Sequence, residues 1–474
     1  MNKQKKEQEK RTFTTTKYHM KTIDKINFAN RIVLIRVDFN VPLDDNKSVT
    51  DNTRIIAAKP TIDKVLEDGG SCVLMSHLGR PKGQDDNLSL RHIVAEIEKV
   101  LGVEVQFSNQ TIGTDAEQRA KALQPGQVML LENLRFYEEE TKGDKQFAQS
   151  LAKLADAYIN DAFGTAHRAH ASTTTVAQFF PASKYFGLLL AKEIDAIDRV
   201  MSSGEKPVLA ILGGAKVSSK ITIIENILDK VDHLILGGGM SFTFAKAMGG
   251  SIGNSICEDD KQELALSILA NAKEKGVHVH LPKDVVASDS FSNDAKQQVF
   301  PIDQIPDGWE GMDAGPETIA GFAEVVSSCK TILWNGPVGV FEFSHFSKGT
   351  IALGEAIAAS TKNGSFSLVG GGDSVAAVKQ FEMEDQVSYV STGGGAMLES
   401  LEGKTLPGIA AIFAEFLVVN YHEKKPNPSF FCIDNGLLSD QKRHTPCFVL
   451  EWKHQHNYSG DAQSIVARYY RTNC

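Results

Sequence analysis

The sequence predicts an α/β fold built from two Rossmann-like, doubly wound parallel-sheet domains joined by a hinge helix. Short runs of β-branched and apolar residues recur along the chain, and stretches with helical periodicity, such as 144–156 and 217–230, lie between them. Strands that alternate with helices form mainly parallel sheets covered by helices on both faces. Because about ten strands would strain one open sheet, two sheets are expected. The strand runs are 32–37, 72–75, 128–131, 157–160, 208–212, 233–236, 277–281, 331–334, 366–369 and 387–390.

The chain length also favours two domains with additional segments, since 474 residues exceed what one compact core usually holds. Residues 1–19 are rich in Lys, Gln and Thr and are predicted to be disordered, because they offer almost no large apolar side chain to a core. A helical stretch ends near Gly204 and Pro207, two residues that interrupt regular structure. The hinge is therefore placed over 191–206.

The composition excludes several classes of function. A formal net charge of -9 disfavours broad binding to nucleic acid or to an anionic membrane. Six scattered cysteines without a CxxC pair indicate neither a disulfide framework nor a zinc site. No apolar run is long enough to cross a bilayer, and the N-terminus lacks the apolar segment of a secretory signal. The sequence therefore favours a cytoplasmic protein whose anion-binding groups are local.

Charged and polar side chains follow the predicted strands of the first half, where open α/β sheets bind their ligands. Arginine presents a planar fork that holds carboxylate or phosphate through two hydrogen bonds. Any one of these arginines alone is better explained as a solvated surface residue or half of an ion pair. As a set at successive strand ends they favour a site for a small, multiply charged anion. The strand ends carry Asp38, Asn40, His77, Arg80, Arg135, His167 and Arg168, and the basic set expected to bind the anion is Arg54, His77, Arg80, Arg135, Arg168 and His170.

Glycine-rich segments follow the predicted strands of the second half. Glycine lets backbone N–H groups approach a phosphate closely, although a single Gly pair is more often an ordinary tight turn. The segment 213–220 (GGAKVSSK) is predicted to lead into a helix, with Lys216 and Lys220 four residues apart on one helical face. Asp373 closes a GGGD segment and suits Mg²⁺, which takes oxygen ligands that it usually shares with substrate phosphates.

Several familiar nucleotide-binding motifs are absent: GxGxxG, GxxxxGK[ST] and the HRD and DFG signatures of protein kinases. The first half instead carries RVDFNVPL (36–43), SHLGRP (76–81), LLENLRF (130–136) and DAFGTAHRAHAS (161–172). The second half carries GGAKVSSK (213–220), GGGMSFTF (237–244), WNGPVGVFE (334–342), GGGDS (370–374) and STGGGAMLE (391–399). As a set these motifs resemble the phosphoglycerate kinase family, over about residues 20–412 and in the family's order and spacing.

The resemblance implies a reaction and a domain plan. The implied reaction is reversible phosphoryl transfer from 1,3-bisphosphoglycerate to ADP, giving 3-phosphoglycerate and ATP, with Mg²⁺ as cofactor and hinge closure before transfer. A substrate domain is expected over 20–190 and a nucleotide domain over 207–395. A segment over 396–412 is expected to return to the first domain, and an atypical extension follows over 413–474.

The resemblance also implies roles for residues. Arg54 matches the arginine that reaches the transferring group, Lys216 the lysine that follows this group, and Asp373 the aspartate linked to Mg²⁺. The implied catalytic residues are Arg54, Lys216, Gly371 and Gly394. The implied substrate-binding residues are Asp38, Phe39, Asn40, Arg54, His77, Leu78, Gly79, Arg80, Arg135, Arg168 and His170. The implied nucleotide-binding residues are Gly213, Lys216, Lys220, Gly237, Gly238, Gly311, Asn335, Glu342, Gly371, Gly372, Asp373 and Ser374.

Alternatives remain open for the activity and for the tail. A pseudoenzyme would be expected to lack a Lys, Arg or Asp at the transfer site, and none is lacking; a nucleotide kinase with another acceptor is disfavoured by the intact Arg and His set. The resemblance further implies a monomer. Residues 413–474 carry three cysteines and four histidines in no compact zinc pattern. A disordered or non-native extension is therefore favoured over an interaction segment or a metal-binding appendage.

Overall fold

The computed structural model of the protein describes residues 21–413 and two later segments, 447–453 and 466–472. The chain divides into two compact units, Met1–Phe416 and Leu417–Cys474. The first unit contains two lobes, each built on its own sheet.

Six parallel strands form the sheet of the first lobe. They are β1 (Ile32–Arg36), β2 (Ser71–Met75), β3 (Val105–Phe107), β4 (Val128–Leu130), β5 (Ala157–Asn160) and β6 (Lys184–Phe186). Their spatial order is β3-β4-β2-β1-β5-β6, and every pair is parallel. The chain therefore winds away from β1 in both directions. In such sheets ligands bind beyond the carboxyl ends of the strands, where the winding changes direction.

Helices bury the apolar residues of this sheet. Along β1, Val33 and Ile35 belong to one apolar cluster while Leu34 belongs to another, because successive side chains of a strand point to opposite faces. The helix Thr53–Glu67 buries Ile55 and Ile62, which lie on one of its faces, in the cluster that contains Val33 and Ile35. The helices are α1 (Thr53–Glu67), α2 (Val94–Leu101), α3 (Thr114–Ala122), α4 (Glu138–Lys142) and α5 (Lys145–Ala152).

One helix links the two lobes. Helix α6 (Leu188–Asp198) continues into a π-helical turn over Arg199–Ser203. Asp161, just after β5, accepts a hydrogen bond from the backbone N–H of Leu190 at 3.1 Å, which satisfies one of the free donors at the start of α6. The helix is therefore anchored at its first turn to the first lobe.

The second lobe repeats the architecture of the first. Its main strands are β7 (Val208–Leu212), β8 (His233–Leu236), β10 (His278–His280), β15 (Thr331–Asn335), β16 (Phe366–Val369) and β17 (Tyr389–Val390). Their spatial order is β10-β8-β7-β15-β16-β17, again with parallel pairs only. The winding changes direction between β7 and β15, so a ligand is expected beyond the ends of these two strands.

Further elements complete the second lobe. A short parallel pair joins β9 (Ser251–Ile252) to β13 (Gln304–Ile305). A three-stranded antiparallel sheet has β11 (Asp284–Ser288) between β12 (Gln297–Pro301) and β14 (Glu310–Ala314). The helices are α7 (Ile221–Ile227), α8 (Met240–Ala247), α9 (Gln262–Glu274), α10 (Pro316–Ser328), α11 (Lys348–Lys362), α12 (Gly372–Gln380), α13 (Gly394–Leu401) and α14 (Pro407–Phe413).

The last helix of the first unit lies on the first lobe. The N–H of Gly408, in α14, donates to the carbonyl of Ala166 at 2.8 Å, and Lys184 on β6 donates to the carbonyl of Ala411 at 2.8 Å. The domain boundaries drawn from the sequence nevertheless stay a prediction.

The fold class predicted from the sequence is confirmed, and one local prediction is wrong. All ten predicted strands occur, with ends shifted by no more than two residues. The helix expected to begin within 213–220 instead begins at Ile221, so Lys216 and Lys220 do not share a helical face. The segment before it forms turns, in which Gly214 has a φ of +113° and the N–H of Lys220 donates to the carbonyl of Val217 at 2.8 Å.

The second unit is described at two strands, β18 (Cys447–Lys453) and β19 (Val466–Thr472), which pair antiparallel. The predicted disorder of 1–19 and the nature of the rest of the tail lie outside the described residues and stay predictions. No helix in the described ranges combines the length and apolarity that a membrane span requires.

Candidate active site

A polar cavity of about 210 Å³ opens at the carboxyl ends of the first lobe's strands. It lies beyond β1 and β5, beside the point where the winding of the sheet changes direction. Five of the six residues in the predicted basic set line this cavity, as do Asp38 and Asn40. Gly164 and Thr165, which the sequence reasoning did not single out, line it as well. The full lining is Asp38, Asn40, Arg54, His77, Gly79, Arg80, Arg135, Gly164, Thr165 and Arg168.

Three loops of the cavity are held together at Gly79. Its N–H donates to Oδ1 of Asn40 at 2.8 Å, and its carbonyl accepts a hydrogen bond from Nη1 of Arg135 at 2.7 Å. Gly79 has a φ of +63°, and a Cβ there would lie 2.8 Å from a methyl carbon of Leu88. Glycine is therefore required at this position for both its conformation and its space.

Three predicted substrate-binding residues, Phe39, Leu78 and His170, do not line the cavity. The side chains of Phe39 and Leu78 are buried in the apolar cluster of the first lobe. Their backbone groups fix the loops: the N–H of Phe39 donates to Oγ of Ser76 at 2.8 Å, and that of Leu78 donates to Asn133. These two residues support the cavity wall from behind.

The electrostatics of the cavity favour an anion. Arg54, Arg80, Arg135 and Arg168 face a cavity whose lining contains one carboxylate, Asp38. Nη1 of Arg54 lies 3.0 Å from Oδ2 of Asp38, which leaves three arginines without a carboxylate in the lining. Burial, and then the charge of neighbouring Arg168, lowers the pKa of Arg135 to about 10, so Arg135 is still charged at neutral pH.

His77 is neutral in this environment. Burial, followed by the positive charge of Arg36 and then of Arg135, holds the pKa of His77 well below its ordinary value. Its Nδ1 lies 3.2 Å from Nη2 of Arg36. Because arginine can only donate, Nδ1 accepts and the proton of the neutral ring is on Nε2.

Arg36 is a residue that the sequence reasoning missed. It is the last residue of β1 and is completely buried, yet it makes several hydrogen bonds. Its Nε donates to Oγ of Ser172 at 2.9 Å, and that hydroxyl donates to Oε1 of the buried Glu140 at 2.6 Å. An arginine inside an otherwise apolar strand was the available signal, because a buried charge needs a partner.

His170 lies outside the 210 Å³ cavity. It lines an adjoining cavity of about 660 Å³ that shares Arg80, Arg135 and Arg168 with the first one. Its Nδ1 is 3.6 Å from Oε1 of Glu140. The structure therefore places His170 in the adjoining cavity, which Arg80, Arg135 and Arg168 separate from the 210 Å³ cavity by lining both.

The glycine segments of the second lobe meet beyond β7, β8 and β15. A Cβ on Gly213 would lie 2.1 Å from the carbonyl oxygen of Pro337, and one on Gly237 would lie 2.6 Å from Val338. Gly238 has a φ of +68°, and its Cβ would lie 2.9 Å from the backbone nitrogen of Gly214. These loops approach one another so closely that side chains are excluded and backbone groups form the surface.

The two lysines of the 213–220 segment have different surroundings. Lys216 is exposed. Lys220 is partly buried, and its Nζ donates to Oδ1 of Asn335. Burial lowers the pKa of Lys220, and the charge of Asp373 opposes this effect. Lys220, Asn335 and Asp373 are therefore neighbours at one edge of the second sheet.

The segment after β16 forms the start of α12. Gly371 has a φ of +95°, and the helix begins at Gly372 with Asp373 exposed in its first turn. The hydroxyl of Ser374 is buried and accepts a hydrogen bond from the N–H of Gly336. Free N–H groups and the positive end of the helix dipole favour an anion at such a helix start.

The remaining predicted residues of the second lobe are Gly311 and Glu342, expected to bind nucleotide, and Gly394, expected to be catalytic. Gly311 lies on β14, where a Cβ would be 2.1 Å from the ring of Phe242. Glu342 is exposed in the loop after β15. Gly394, with a φ of +25°, begins α13.

The sites of the two lobes adjoin. The loop 391–395, which precedes and starts α13, packs on the loop after β5: a Cβ on Gly393 would lie 2.0 Å from the ring of Phe163. A Cβ on Gly164 would lie 2.6 Å from Asp38 and 3.7 Å from the carbonyl oxygen of Thr392. The arginine cavity of the first lobe thus lies beside the loop 391–395, which leads into α13. This fold and this pair of sites define a two-lobed phosphotransferase.

Comparisons with known proteins give the particular family. The family model described as phosphoglycerate kinase matches residues 23–404. A phosphoglycerate kinase of Porphyromonas gingivalis is 55% identical, over 82% of this chain and 99% of its own length. A cytosolic phosphoglycerate kinase of Triticum aestivum is 51% identical, over 84% of this chain and 99% of its own. The solved structure of phosphoglycerate kinase from Coxiella burnetii superposes with a TM-score of 0.76 at 42% identity, covering 83% of this chain and 98% of that one.

The chain belongs to the phosphoglycerate kinase family. It is a phosphotransferase whose acceptor is a carboxyl group, and its chemistry depends on ATP and ADP. Nothing in the comparisons favours a relative that keeps the fold without turnover.

Proposed function

We propose that the arginine cavity binds 3-phosphoglycerate or 1,3-bisphosphoglycerate while the glycine loops of the second lobe bind ATP or ADP. The observation that carries this assignment is the sorting of charge between the lobes: three arginines without a carboxylate in the lining face one cavity, and glycine backbone forms the other surface. Arg80, Arg135 and Arg168 would hold the phosphate of the triose. The neutral His77 would contact the same phosphate, and Asp38 and Asn40 would hold the hydroxyl and carboxylate of the triose.

Transfer between these ligands needs no general base, because the acceptor in the ATP-consuming direction is already a carboxylate. Catalysis of such a step comes from in-line positioning and from stabilising the charge on the equatorial oxygens of the transferring group. Arg54, which Asp38 orients at 3.0 Å, and the exposed Lys216 would supply positive charge. The N–H groups of Gly371 and Gly394 would supply hydrogen bonds.

Asp373 would hold Mg²⁺ together with the nucleotide phosphates. Its carboxylate is exposed in the first turn of α12, beside the loop that would carry the phosphates. Within the described ranges no group of three or more His, Cys, Asp or Glu is placed to hold a metal. A single carboxylate fits Mg²⁺, which usually binds one or two carboxylates and completes its shell with phosphate oxygens and water. The ion would neutralise charge on the phosphates.

Closure of the lobes would exclude water from the space between the two proposed ligand sites. Water would otherwise hydrolyse the acyl phosphate or intercept the transferring group. Helix α6 and the turn after it supply the link at which the predicted hinge over 191–206 would bend.

The setting proposed for this activity is a monomer in the cytoplasm that binds neither nucleic acid nor membrane. Its support is the net charge of -9, together with a cytosolic relative that is 51% identical.

The test is a coupled assay of the full chain with 3-phosphoglycerate and MgATP, followed through reduction of the acyl phosphate product. We expect turnover with this acceptor and none with glycerol 3-phosphate, which has the phosphate but no carboxylate. Binding of both ligands without turnover would instead identify a pseudoenzyme, and turnover with glycerol 3-phosphate a kinase for another acceptor.

A further inference from the structure

An ion pair joins the lobes next to Arg54. Nζ of Lys379, in the last turn of α12, lies 2.7 Å from Oδ2 of Asp51 in the first lobe. The same Nζ donates to Oγ1 of Thr53 at 3.0 Å. Two separate acceptors on one ammonium group fix its position better than one would.

The first-lobe partners of Lys379 form the start of α1. Oδ1 of Asp51 accepts a hydrogen bond from the N–H of Thr53 at 2.8 Å, and Thr53 is the first residue of the helix. Asp51 therefore uses one oxygen for the helix start and the other for the second lobe. The next residue, Arg54, is the one whose guanidinium lies on Asp38 at the cavity.

Lys379, the second-lobe partner, belongs to helix α12. This helix starts within the segment 370–373, which is proposed to carry the nucleotide phosphates and is called the phosphate loop below. Helix α12 begins at Gly372 and carries Asp373 in its first turn and Lys379 in its last. An α-helix of this length moves as one piece, so the position of its first turn determines that of Lys379. Contacts then run without a gap from the phosphate loop through α12 to the start of α1.

We propose that Lys379 and Asp51 are positioning residues that set the position of Arg54 relative to the phosphate loop. The proposal rests on the function proposed above, in which Arg54 acts on the transferring group. Neither side chain lines the cavity, so neither is expected to touch the substrate. The ion pair acts by joining the lobes at the start of α1, where Lys379 contacts Asp51 and Thr53 just before Arg54.

The pair is charged over the working pH range but is open to solvent. Although burial raises the pKa of Asp51, the hydrogen bonds from Lys379 and Thr53 outweigh this and lower it to about 2. The side chains are 31% and 42% exposed for Lys379 and Asp51 respectively, so salt screens their attraction. Loss of an exposed pair of this kind is worth about a two- to fivefold change in a rate.

The test is a double-mutant cycle on turnover with 3-phosphoglycerate and MgATP, using Asp51→Asn, Lys379→Met and the two together. Each single variant is expected to lower kcat about two- to fivefold with little change in either KM. The double variant is expected to be no slower than the slower single variant, because both substitutions remove the same contact. The ratio of wild-type to variant kcat should approach one as salt is raised, which a purely structural defect would not show.

Lys275→Met provides the matched control. Lys275 is 36% exposed and pairs with Asp229 at 2.6 Å within the second lobe. It is expected to leave kcat unchanged. If Lys379→Met behaves like Lys275→Met, or if the double variant loses the product of the two single losses, the positioning role is wrong. Absence of turnover in the wild type would instead contradict the proposed function itself.

Discussion

Arg54 occupies a position in which its charge is oriented but not fully neutralised. Its guanidinium lies 3.0 Å from Asp38, and its side chain is 37% exposed toward the cavity. A partly exposed arginine retains the capacity to contact an incoming anion, whereas a fully paired buried one does not. The position thus suits transient contact with a transferring phosphoryl group.

Replacement of Arg54 by Ala is expected to lower kcat by about 10³-fold, with a much smaller effect on KM for 3-phosphoglycerate, because the charge would act mainly in the transition state. Steady-state kinetics with MgATP would measure both. Lys59→Ala is the control, since Lys59 is on the same helix, is also 37% exposed and pairs with Asp63. An unchanged kcat with a raised KM would assign Arg54 to ground-state binding instead.

A second prediction concerns Gly238, whose positive φ coincides with close backbone contacts. Gly238→Ala is expected to raise KM for MgATP more than about tenfold, because the new Cβ would force apart the loops that carry the backbone surface. Gly276→Ala is the control: its φ is +72°, but its Cβ would meet nothing within 4 Å. Both substitutions place alanine at a positive φ, which costs about 1 kcal/mol of folding free energy. Thermal denaturation should therefore show a similar loss of stability from backbone strain in the two variants. Equal KM values in the two variants would argue against a nucleotide role for Gly238.

At the scale of elements, helix α6 connects the lobes through a buried carboxyl group. Glu193 accepts hydrogen bonds from the N–H and the hydroxyl of Thr392, both at 2.7 Å, in the loop that starts α13. Burial raises the pKa of Glu193 to about 7, and the hydrogen bonds from Thr392 oppose part of this rise. The linking helix therefore contacts the loop 391–395 through a group that titrates near neutrality.

Because of Glu193, the free energy of unfolding is expected to fall as pH rises. A carboxyl group with a higher pKa in the folded state binds its proton more tightly there, so its contribution is complete below about pH 4.5 and is lost as pH passes about 7. Urea unfolding should show that the wild type loses about 2 kcal/mol more than Glu193→Gln between pH 5 and 8. Glu324→Gln, which changes an exposed carboxylate on α10, is the control and should keep the wild-type slope. Parallel slopes for the wild type and Glu193→Gln would contradict the assignment.

At the scale of the whole molecule, the ligand sites are divided between lobes that one helix and a few loop contacts connect. Contacts that span this division include the loop 391–395, the Lys379 ion pair and α14. In the proposed function, each ligand alone would contact one lobe. Only the two together would then bridge the lobes and stabilise closure.

Small-angle scattering should therefore give its smallest radius of gyration with 3-phosphoglycerate and MgADP together, a pair that cannot react. Either ligand alone is expected to produce little or partial compaction. The full chain is used throughout, so that the second unit contributes equally to every sample. Identical radii for the free protein and the ternary complex would refute closure.

The sequence by itself determined the fold class and most of the first-lobe cavity. Parallel strands buried on both faces appear as continuous apolar runs, and their carboxyl ends meet at one edge of the sheet. The residues after those runs, such as Asp38, His77 and Arg168, could therefore be placed together without coordinates. The antiparallel sheet was missed because strands such as β12 are largely exposed and lack such a run.

Only the tertiary structure decided which of these groups contact one another. The pairing of Arg36 with Ser172 spans 136 residues, and that of Asp51 with Lys379 spans 328. The tertiary structure also placed Lys216 and Lys220 before the helix that starts at Ile221, and His170 in the adjoining cavity. Local patterns report what a segment buries along its own helix or strand. They carry no information about which distant side chain will meet it when the lobes assemble.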